Sequence, residues 1–303
     1  MTGKHVGFVG LGLMGAPMAA NIAKAGWVVS GWNRSAKAFK DLPMVQCAAT
    51  VADLRDEEAI IFMLPDLPYI EEAAKALLES WRGAPPKPGT AVVIMSSVSP
   101  TAVQQFGQTV HQASSGNAIV VDAPVSGGTA GAREGTLAIM VGADEPHFAA
   151  LKPLFEAMGT TVRRMGPLGS GSLAKACNQL IVGTTTAALA EAAELAERSG
   201  MDVEALFEVL SGGLAASRVL DNVGPRLAAK DYAPTGPAKF MHKDLGFVID
   251  SAEAAGSAVP LATAAIGLYA ELKRQGLGDQ DLAVVRQTIA NLSQTPTATS
   301  SSN

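Results

Sequence analysis

The sequence predicts an α/β N-terminal domain with a mostly parallel, doubly wound sheet, followed by an all-α C-terminal domain. Its 303 residues exceed the usual length of a single hydrophobic core, which indicates two domains. Up to about residue 165, short β-branched runs alternate with helical stretches, as in βαβ units. Beyond that point the strand signals vanish and helical patterns follow one another.

The N-terminal domain is expected over residues 1–166. Its strands are indicated by the runs HVGFVG, WVVSGW, AIIFMLP, TAVVIMSS, AIVVDAPV and LAIMVG, and its helices by APMAANIAKAG and IEEAAKALLES. The all-α domain is expected over residues 167–293. It begins with a long interdomain helix over residues 170–200, interrupted at Gly183, and continues in DVEALFEVLSGG, KFMHKDLGFVIDSAEAAG, PLATAAIGLYAELKRQG and DLAVVRQTIANL. The polar, Ser/Thr-rich residues 294–303 predict a disordered tail.

The composition argues against several classes of protein. With 48% hydrophobic and 17% charged residues the chain is core-rich and globular, and its formal charge of −5 offers no general attraction for nucleic acid or an anionic membrane. The long helix carries Asn178, Gln179, Glu191 and Glu194, which are costly in lipid, so no membrane span is expected. The N-terminus lacks the pattern of an export signal, which predicts a cytoplasmic protein.

The two cysteines agree with that expectation. Cys47 and Cys177 are too few for a disulfide framework in a chain of this size and suit a reducing compartment. Cys177 is expected to be a buried core thiol rather than a nucleophile.

A glycine motif between the first strand and the first helix predicts a dinucleotide site. The first glycine of a G-x-G-x-x-G pattern permits a tight turn, the second lets the backbone approach a pyrophosphate, and the third lets helix pack on strand. The helix N-terminus then favours the phosphates. The alternative is that the glycines serve only a tight strand-to-helix connection. The motif consists of Gly10, Leu11, Gly12, Leu13, Met14 and Gly15.

The residues after the second strand indicate which dinucleotide is bound. A protein that binds NAD usually places Asp or Glu there, on the adenosine ribose, whereas this chain has Asn33, Arg34 and Ser35. A carboxylate would repel a 2′-phosphate, but Asn33 does not, and Arg34 can pair with it in bidentate fashion. We therefore expect NADP, unless Arg34 and Lys37 are merely solvated charges.

Two further clusters suggest a substrate site. Ser126 with the amides of Gly127 and Gly128 can form a small anion nest for a carboxylate, although a plain glycine-rich turn is an equal alternative. Lys175 and Asn178 are three residues apart on the predicted long helix and so share a face. A lysine in an otherwise apolar helix is expected to be desolvated, which suits it to proton transfer.

Five segments together resemble the β-hydroxyacid dehydrogenases, the family of 3-hydroxyisobutyrate dehydrogenase and tartronate semialdehyde reductase. They occur in order and read GFVGLGLMGAPMAANIAKAG, FMLPD, DAPVSGGTAGAREGTLAIMVG, GSGSLAKACNQ and KDLGFVID, and the resemblance as a whole spans about residues 5–292. The resemblance implies a Rossmann domain that holds the cofactor and an all-helical domain that closes the active site. It also implies a homodimer or homotetramer, a small carboxylate-bearing substrate and no metal.

The resemblance also assigns roles to single residues. Lys175 matches the catalytic lysine and Asn178 its partner, while Ser126, Gly127 and Gly128 match the segment that binds the substrate carboxylate. Leu64, Pro65 and Ser96 match positions beside the nicotinamide, Lys243 matches a lysine near cofactor and substrate, and Asp250 is its expected helical neighbour. The sequence Asn33-Arg34-Ser35 is similar to the NADP-preferring branch, which includes glyoxylate and succinic semialdehyde reductases.

The implied activity is hydride transfer between NADP(H) and a short-chain 3-hydroxy acid or its semialdehyde, with Lys175 as general acid and base. Imine reductases share the scaffold but generally lack the lysine, and decarboxylating 6-phosphogluconate dehydrogenases have a longer C-terminal domain. A non-catalytic cofactor-binding scaffold is the remaining alternative, and its relatives replace the lysine.

Overall fold

A computed structural model describes residues 4–294, which fall into two compact units that divide between Lys175 and Ala176. This division lies inside a helix, nine residues beyond the boundary expected at residue 166. Of the predicted tail, Gln294 lies in a turn and residues 295–303 lie outside the described residues.

The first unit contains a nine-stranded sheet with the order β3-β2-β1-β4-β5-β6-β8-β7, in which β9 pairs with β8. Strands β1 to β6 are parallel, β8 is antiparallel to β6 and β7, and β9 is parallel to β8. The mostly parallel sheet of the prediction is therefore confirmed. The strands are β1 (His5–Val9), β2 (Val28–Trp32), β3 (Val45–Cys47), β4 (Ala59–Phe62), β5 (Thr90–Ile94), β6 (Ala118–Asp122), β7 (Val125–Ser126), β8 (Leu137–Gly142) and β9 (Gly159–Gly166).

Helices cover both faces of this sheet, because side chains alternate along each strand. In β4, Ile61 belongs to a core cluster with Met18 and Ile22 of the first helix, whereas Ile60 and Phe62 belong to a second cluster on the opposite face. Near-continuous apolar strands such as β4 are expected where both faces are buried. The helices are α1 (Gly15–Lys24), α2 (Leu67–Gly83), α3 (Pro100–Ala113), α4 (Gly128–Glu134) and α5 (Glu145–Glu156), with short 3₁₀ turns at 36–39 and 51–54.

The connection between β6 and β8 is narrow. The two strands pair only at Asp122 and Gly142, whereas β6 pairs with β5 along its whole length. Strands β7, β8 and β9 thus form a small group that joins the larger parallel group at one residue pair.

The second unit is helical, as predicted. Helix α6 (Ser170–Arg198) crosses the division without a break at Gly183, so the expected interruption is wrong. A Cβ atom at Gly183 would lie 2.8 Å from the sulfur of Met241, so the glycine permits close packing by the helix that contains Met241, α9 (Lys239–Ala255). The remaining helices are α7 (Val203–Ser211), α8 (Arg218–Ala229), α9 (Lys239–Ala255), α10 (Pro260–Arg274) and α11 (Val285–Leu292).

Two polar contacts tie these helices together. The Tyr269 hydroxyl of α10, fully buried, donates a hydrogen bond of 2.9 Å to the Gly183 carbonyl oxygen. Arg286 is almost fully buried, and its Nη2 lies 2.9 Å from Oε2 of Glu197. The Nζ of Lys230 donates a hydrogen bond of 2.8 Å to the same oxygen. The Lys230 hydrogen bond, aided by Arg286, lowers the pKa of Glu197. None of the helices within residues 4–294 is both long and apolar enough to cross a membrane.

Candidate active site

The carboxyl ends of the parallel strands collect most of the predicted site residues at one edge of the sheet. Ligands of open α/β sheets bind at this edge. Because β1, β2, β4, β5 and β6 run in the same direction, the segments that follow them share it. These segments carry Gly10 after β1, Asn33 after β2, Leu64 and Pro65 after β4, Ser96 after β5, and Ser126 beyond β6.

The loop between β1 and α1 has the shape that a pyrophosphate requires. Gly10 has a φ of +100°, and a Cβ atom there would collide with the Met63 carbonyl oxygen. A Cβ atom at Gly15 would collide with the Gly10 carbonyl oxygen, so this glycine lets α1 begin against the strand. At Gly12 no atom of the described residues, apart from its chain neighbours, lies within 4 Å of the Cβ position, which leaves space beside the backbone. The residues between the glycines differ: Leu11 is buried, Met14 partly buried and Leu13 exposed.

Asn33 braces this loop from the next strand. Its Oδ1 accepts a 3.0 Å hydrogen bond from the Leu11 N–H, and its Nδ2 donates to the Ser35 carbonyl oxygen at 3.1 Å. Ser35 Oγ accepts from the Lys37 N–H at 3.4 Å, which caps the short 3₁₀ turn. Arg34 and Ser35 are exposed. The amide of Asn33 is therefore engaged with the backbone, and Arg34 next to it is an exposed cation.

The segments after β4 and β5 are joined by one hydrogen bond. The hydroxyl of Ser96, which is almost fully buried, accepts from the Leu64 N–H at 3.0 Å. This bond holds the Leu64-Pro65 turn against the end of β5.

The segment after β6 exposes backbone rather than side chains. Ser126 ends β7 and pairs with Ala138 of β8, and the next two residues, Gly127 and Gly128, have φ values of +131° and +62°. Only glycine adopts two such conformations in succession without strain. Within residues 4–294, no atom beyond its chain neighbours lies within 4 Å of a Cβ position at Gly128, so this backbone is open on that side.

Lys175 and Asn178 lie on one face of the first turns of α6, and both are half-buried. Cys177, in contrast, is exposed, so the expectation of a core thiol is wrong. It shares a helix face with Leu173 and Ile181, four residues away on either side, and both of these are exposed as well.

Asp122 is a functional candidate that the sequence reasoning missed. It ends β6, is fully buried, and accepts hydrogen bonds from the Gly169 N–H at 2.8 Å and the Ser172 N–H at 2.5 Å. Burial raises the pKa of this carboxyl group, and the two N–H donors oppose the rise. An acid at the end of a buried apolar strand was the available signal.

In the second unit, Lys243 of α9 is held by its own helix. Its Nζ lies 3.7 Å from Oδ1 of Asp244 and over the rings of Phe240 and Phe247, at 5.7 and 5.3 Å from their centroids. Asp244 is buried and accepts a 2.7 Å hydrogen bond from Nε2 of Gln179 in α6.

Asp250 was expected to be the helical neighbour of Lys243, but the structure does not place it next to this lysine. It is exposed and lies seven residues beyond Lys243 on α9, about 10 Å along the helix axis. The acid beside Lys243 is Asp244, which the sequence reasoning did not single out.

Comparisons with known proteins agree with this geometry. Residues 5–166 match the NAD binding domain of 6-phosphogluconate dehydrogenase, and residues 169–288 match the NAD-binding family of NADP-dependent 3-hydroxyisobutyrate dehydrogenase. An NAD-dependent L-serine dehydrogenase of Pseudomonas aeruginosa is 35% identical, over 94% of this chain and 97% of the relative. A 2-hydroxy-3-oxopropionate reductase of Escherichia coli is 36% identical, over 84% of this chain and 86% of the relative.

Solved structures show the same similarity. A 3-hydroxyisobutyrate dehydrogenase from Salmonella typhimurium aligns with a TM-score of 0.84 at 29% identity, over 93% of this chain and 99% of that one. The Mycobacterium tuberculosis 3-hydroxyisobutyrate dehydrogenase with L-serine aligns with a TM-score of 0.80 at 31% identity, over 95% and 99%. An imine reductase from a Pseudomonas species is 20% identical with a TM-score of 0.62, which shows the fold alone.

Proposed function

Because this chain belongs to the β-hydroxyacid dehydrogenase family, whose members are NAD(P)-dependent oxidoreductases acting on CH–OH donors, we propose that it transfers a hydride between NADP(H) and a short-chain 3-hydroxy acid or its semialdehyde, with Lys175 as general acid and base. The observation that carries the reaction class is a half-buried lysine with an amide three residues away, on the first turns of α6.

The preference for NADP rests on the residues after β2. The side-chain amide of Asn33 is hydrogen-bonded to the Leu11 N–H and the Ser35 carbonyl oxygen. No carboxylate directly follows the strand to repel a 2′-phosphate. Arg34 is exposed beside them and supplies a bidentate cation for that phosphate. The serine dehydrogenase relative is described as NAD-dependent, so members of the family differ in this choice.

Each residue of the site has a chemical task in the proposed reaction. The bound nicotinamide supplies or takes the hydride. Lys175 gives its proton to the carbonyl oxygen in reduction and removes the hydroxyl proton in oxidation. Asn178 holds the same oxygen and the lysine in register, while the backbone of Ser126, Gly127 and Gly128 binds the carboxylate. From the family resemblance, Lys243 is assigned to the carboxylate or the cofactor as a second cation.

The substrate class follows from these tasks and from the relatives. A carboxylate held at one point and a carbon oxidised or reduced at another favour a short acid whose hydroxyl or aldehyde group lies close to its carboxylate, such as on carbon 3. Three relatives carry such compounds in their names: 3-hydroxyisobutyrate, 2-hydroxy-3-oxopropionate and L-serine. We propose a compound of this size, with succinic semialdehyde and glyoxylate as neighbouring possibilities.

The test combines a substrate panel with one variant. Purified protein is assayed for NADPH oxidation with tartronate, methylmalonate and succinic semialdehydes and glyoxylate, and for NADP⁺ reduction with 3-hydroxyisobutyrate and L-serine. Lys175→Ala should lower kcat by roughly 10²- to 10⁴-fold, while the Kd of NADPH stays unchanged. The control is Lys152→Ala, a partly exposed lysine of α5 in the same unit.

Three outcomes would contradict the proposal. Turnover by Lys175→Ala at the wild-type rate would remove the acid and base role. Silence of the wild-type protein across the panel, with NADPH bound, would favour a non-catalytic scaffold, and turnover of cyclic imines alone would favour an imine reductase.

A further inference from the structure

The side chain of Asp122 connects two parts of the proposed site that are far apart in sequence. Its two carboxylate oxygens accept from the N–H groups of Gly169 and Ser172, 47 and 50 residues away. Both donors belong to the start of α6, where the first N–H groups of a helix have no partner within the helix. A buried carboxylate is therefore the acceptor at the start of the helix that bears Lys175.

The carboxylate has little freedom to move. A Cβ atom at Gly142 would collide with its Oδ1, and a Cβ atom at Gly171 would collide with the Met140 carbonyl and lie 2.6 Å from that of Asp122. Two glycines, one on β8 and one in the first turn of α6, thus let three backbones meet around one side chain. A charge-assisted hydrogen bond at such a place has a defined geometry.

The two ends of this connection lead to the proposed chemistry. Ser172 precedes Lys175 by three residues, so the two share a helix face about one turn apart. Asp122 itself precedes Ser126 by four residues, through the turn that leads to the proposed carboxylate segment. A shift of Asp122 changes the position of the lysine relative to that segment.

We propose that Asp122 is a positioning residue for the reaction: by accepting from Gly169 and Ser172, it sets the place of Lys175 relative to the segment that binds the substrate carboxylate. Asp122 touches neither substrate nor cofactor in this role. The inference rests on the proposed function, since it assigns Asp122 an effect through Lys175.

The experiment compares Asp122→Asn with Gly142→Ala and with a control. The amide of Asn can accept from only one of the two N–H groups and turns a donor toward the other. Gly142→Ala keeps the carboxylate and its charge but pushes a methyl group onto Oδ1. The control is Asp144→Asn, because Asp144 is an exposed residue at the start of α5 whose side chain caps no N–H group.

The expected result is a selective loss of chemistry. For Asp122→Asn, kcat falls by about 10²-fold, the loss that a misplacement of about 1 Å can cause, whereas the Kd of NADPH changes by less than about twofold, as for neutral substitutions. With NADPH deuterated at the transferred position, the isotope effect on kcat rises above that of the wild type, because hydride transfer becomes slower. Gly142→Ala shifts kcat and the isotope effect in the same direction, and Asp144→Asn shifts neither.

Several outcomes overturn the inference. If Asp122→Asn folds and keeps the wild-type kcat, the positioning role is contradicted. The same holds if only its KM is raised. If Asp122→Asn does not fold, a folded Gly142→Ala with the wild-type kcat contradicts the positioning role in the same way. If neither variant folds, Asp122 has a structural role in folding instead of a positioning role. A wild-type protein without activity would contradict the proposed function itself, which separates the two failures.

Discussion

Replacing Arg34 tests the proposed cofactor preference at one side chain. A hydrogen bond between an ionised donor and acceptor contributes about 1.5–3 kcal/mol. Arg34 is exposed, so water screens the pair and the lower part of that range applies. A loss of about 1.5–2 kcal/mol corresponds to a Kd for NADPH that is about 10- to 30-fold higher in Arg34→Ala. NADH has no 2′-phosphate, so its Kd should change by less than about twofold, as for an ordinary surface substitution.

The assay is a titration of both cofactors by the quenching of protein fluorescence, at low and at high salt. The matched control is Lys24→Ala, which removes an exposed positive charge at the far end of α1. That helix has 10 residues, so Lys24 lies about 15 Å along it from the glycine loop, beyond the screening length at physiological salt. At high salt the difference between wild type and Arg34→Ala should shrink for NADPH.

An equal weakening of NADPH and NADH in Arg34→Ala would refute the reasoning, because it would mean that the arginine only shapes the loop. A wild-type protein that binds NADH more tightly than NADPH would refute the preference as well.

Two further predictions concern the helical unit. Tyr269→Phe should lower the free energy of unfolding by about 0.5–1.5 kcal/mol, because the Gly183 carbonyl loses a buried donor; urea unfolding should show no such change for Tyr69→Phe, whose tyrosine is exposed. Glu197→Gln should lower the thermal midpoint at neutral pH, because the lowered pKa of Glu197 stabilises the folded state above the pKa of the unfolded chain and this contribution is lost on acidification. The difference between Glu197→Gln and wild type should therefore begin to shrink as the pH falls below about 4 and vanish once the pH lies below the lowered pKa of Glu197 in the folded state. A difference that persists there would contradict the role of Lys230 as its partner.

Periodicity and glycine spacing were sufficient to predict the main elements of the fold. Strands β1, β2, β4, β5, β6 and β8 each correspond to a predicted apolar run, and the glycine motif lies between β1 and α1 as expected. These signals are local: they need only the alternation of side chains and the turn that a glycine allows.

Several of the elements that were missed have weak local signals, although helices α3 and α5, which were also missed, are long. Strand β3 has three residues, too few to show a period, and the exposed Arg163 and Arg164 interrupt the apolar character of β9. Helix α8 contains Gly224 and Pro225, which usually indicate a break, although Leu220 and Leu227 give it a buried face. In such places tertiary packing decides the structure.

The site was only partly accessible for a related reason. Its glycines and Lys175 have recognisable neighbours in sequence, whereas the partners of Asp122 and Asp244 are 47 to 65 residues distant. No pattern in one sequence states which remote N–H group or amide a buried acid will meet. The contact of Lys243 with Asp244, the next residue, was accessible from the sequence, whereas the bond between Asp244 and Gln179 was not.

The narrow junction between β6 and β8 affects where the sheet opens in local unfolding. Within the sheet, the six parallel strands and the group of β7, β8 and β9 pair only through Asp122–Gly142, and the rest of their coupling comes from side chains in a shared hydrophobic core. Local opening at such a joint is detected by amide hydrogen exchange well before global unfolding. Since the same aspartate receives the start of α6, a fluctuation at the joint also loosens the beginning of that helix, and exchange at Gly169 and Ser172 reports it.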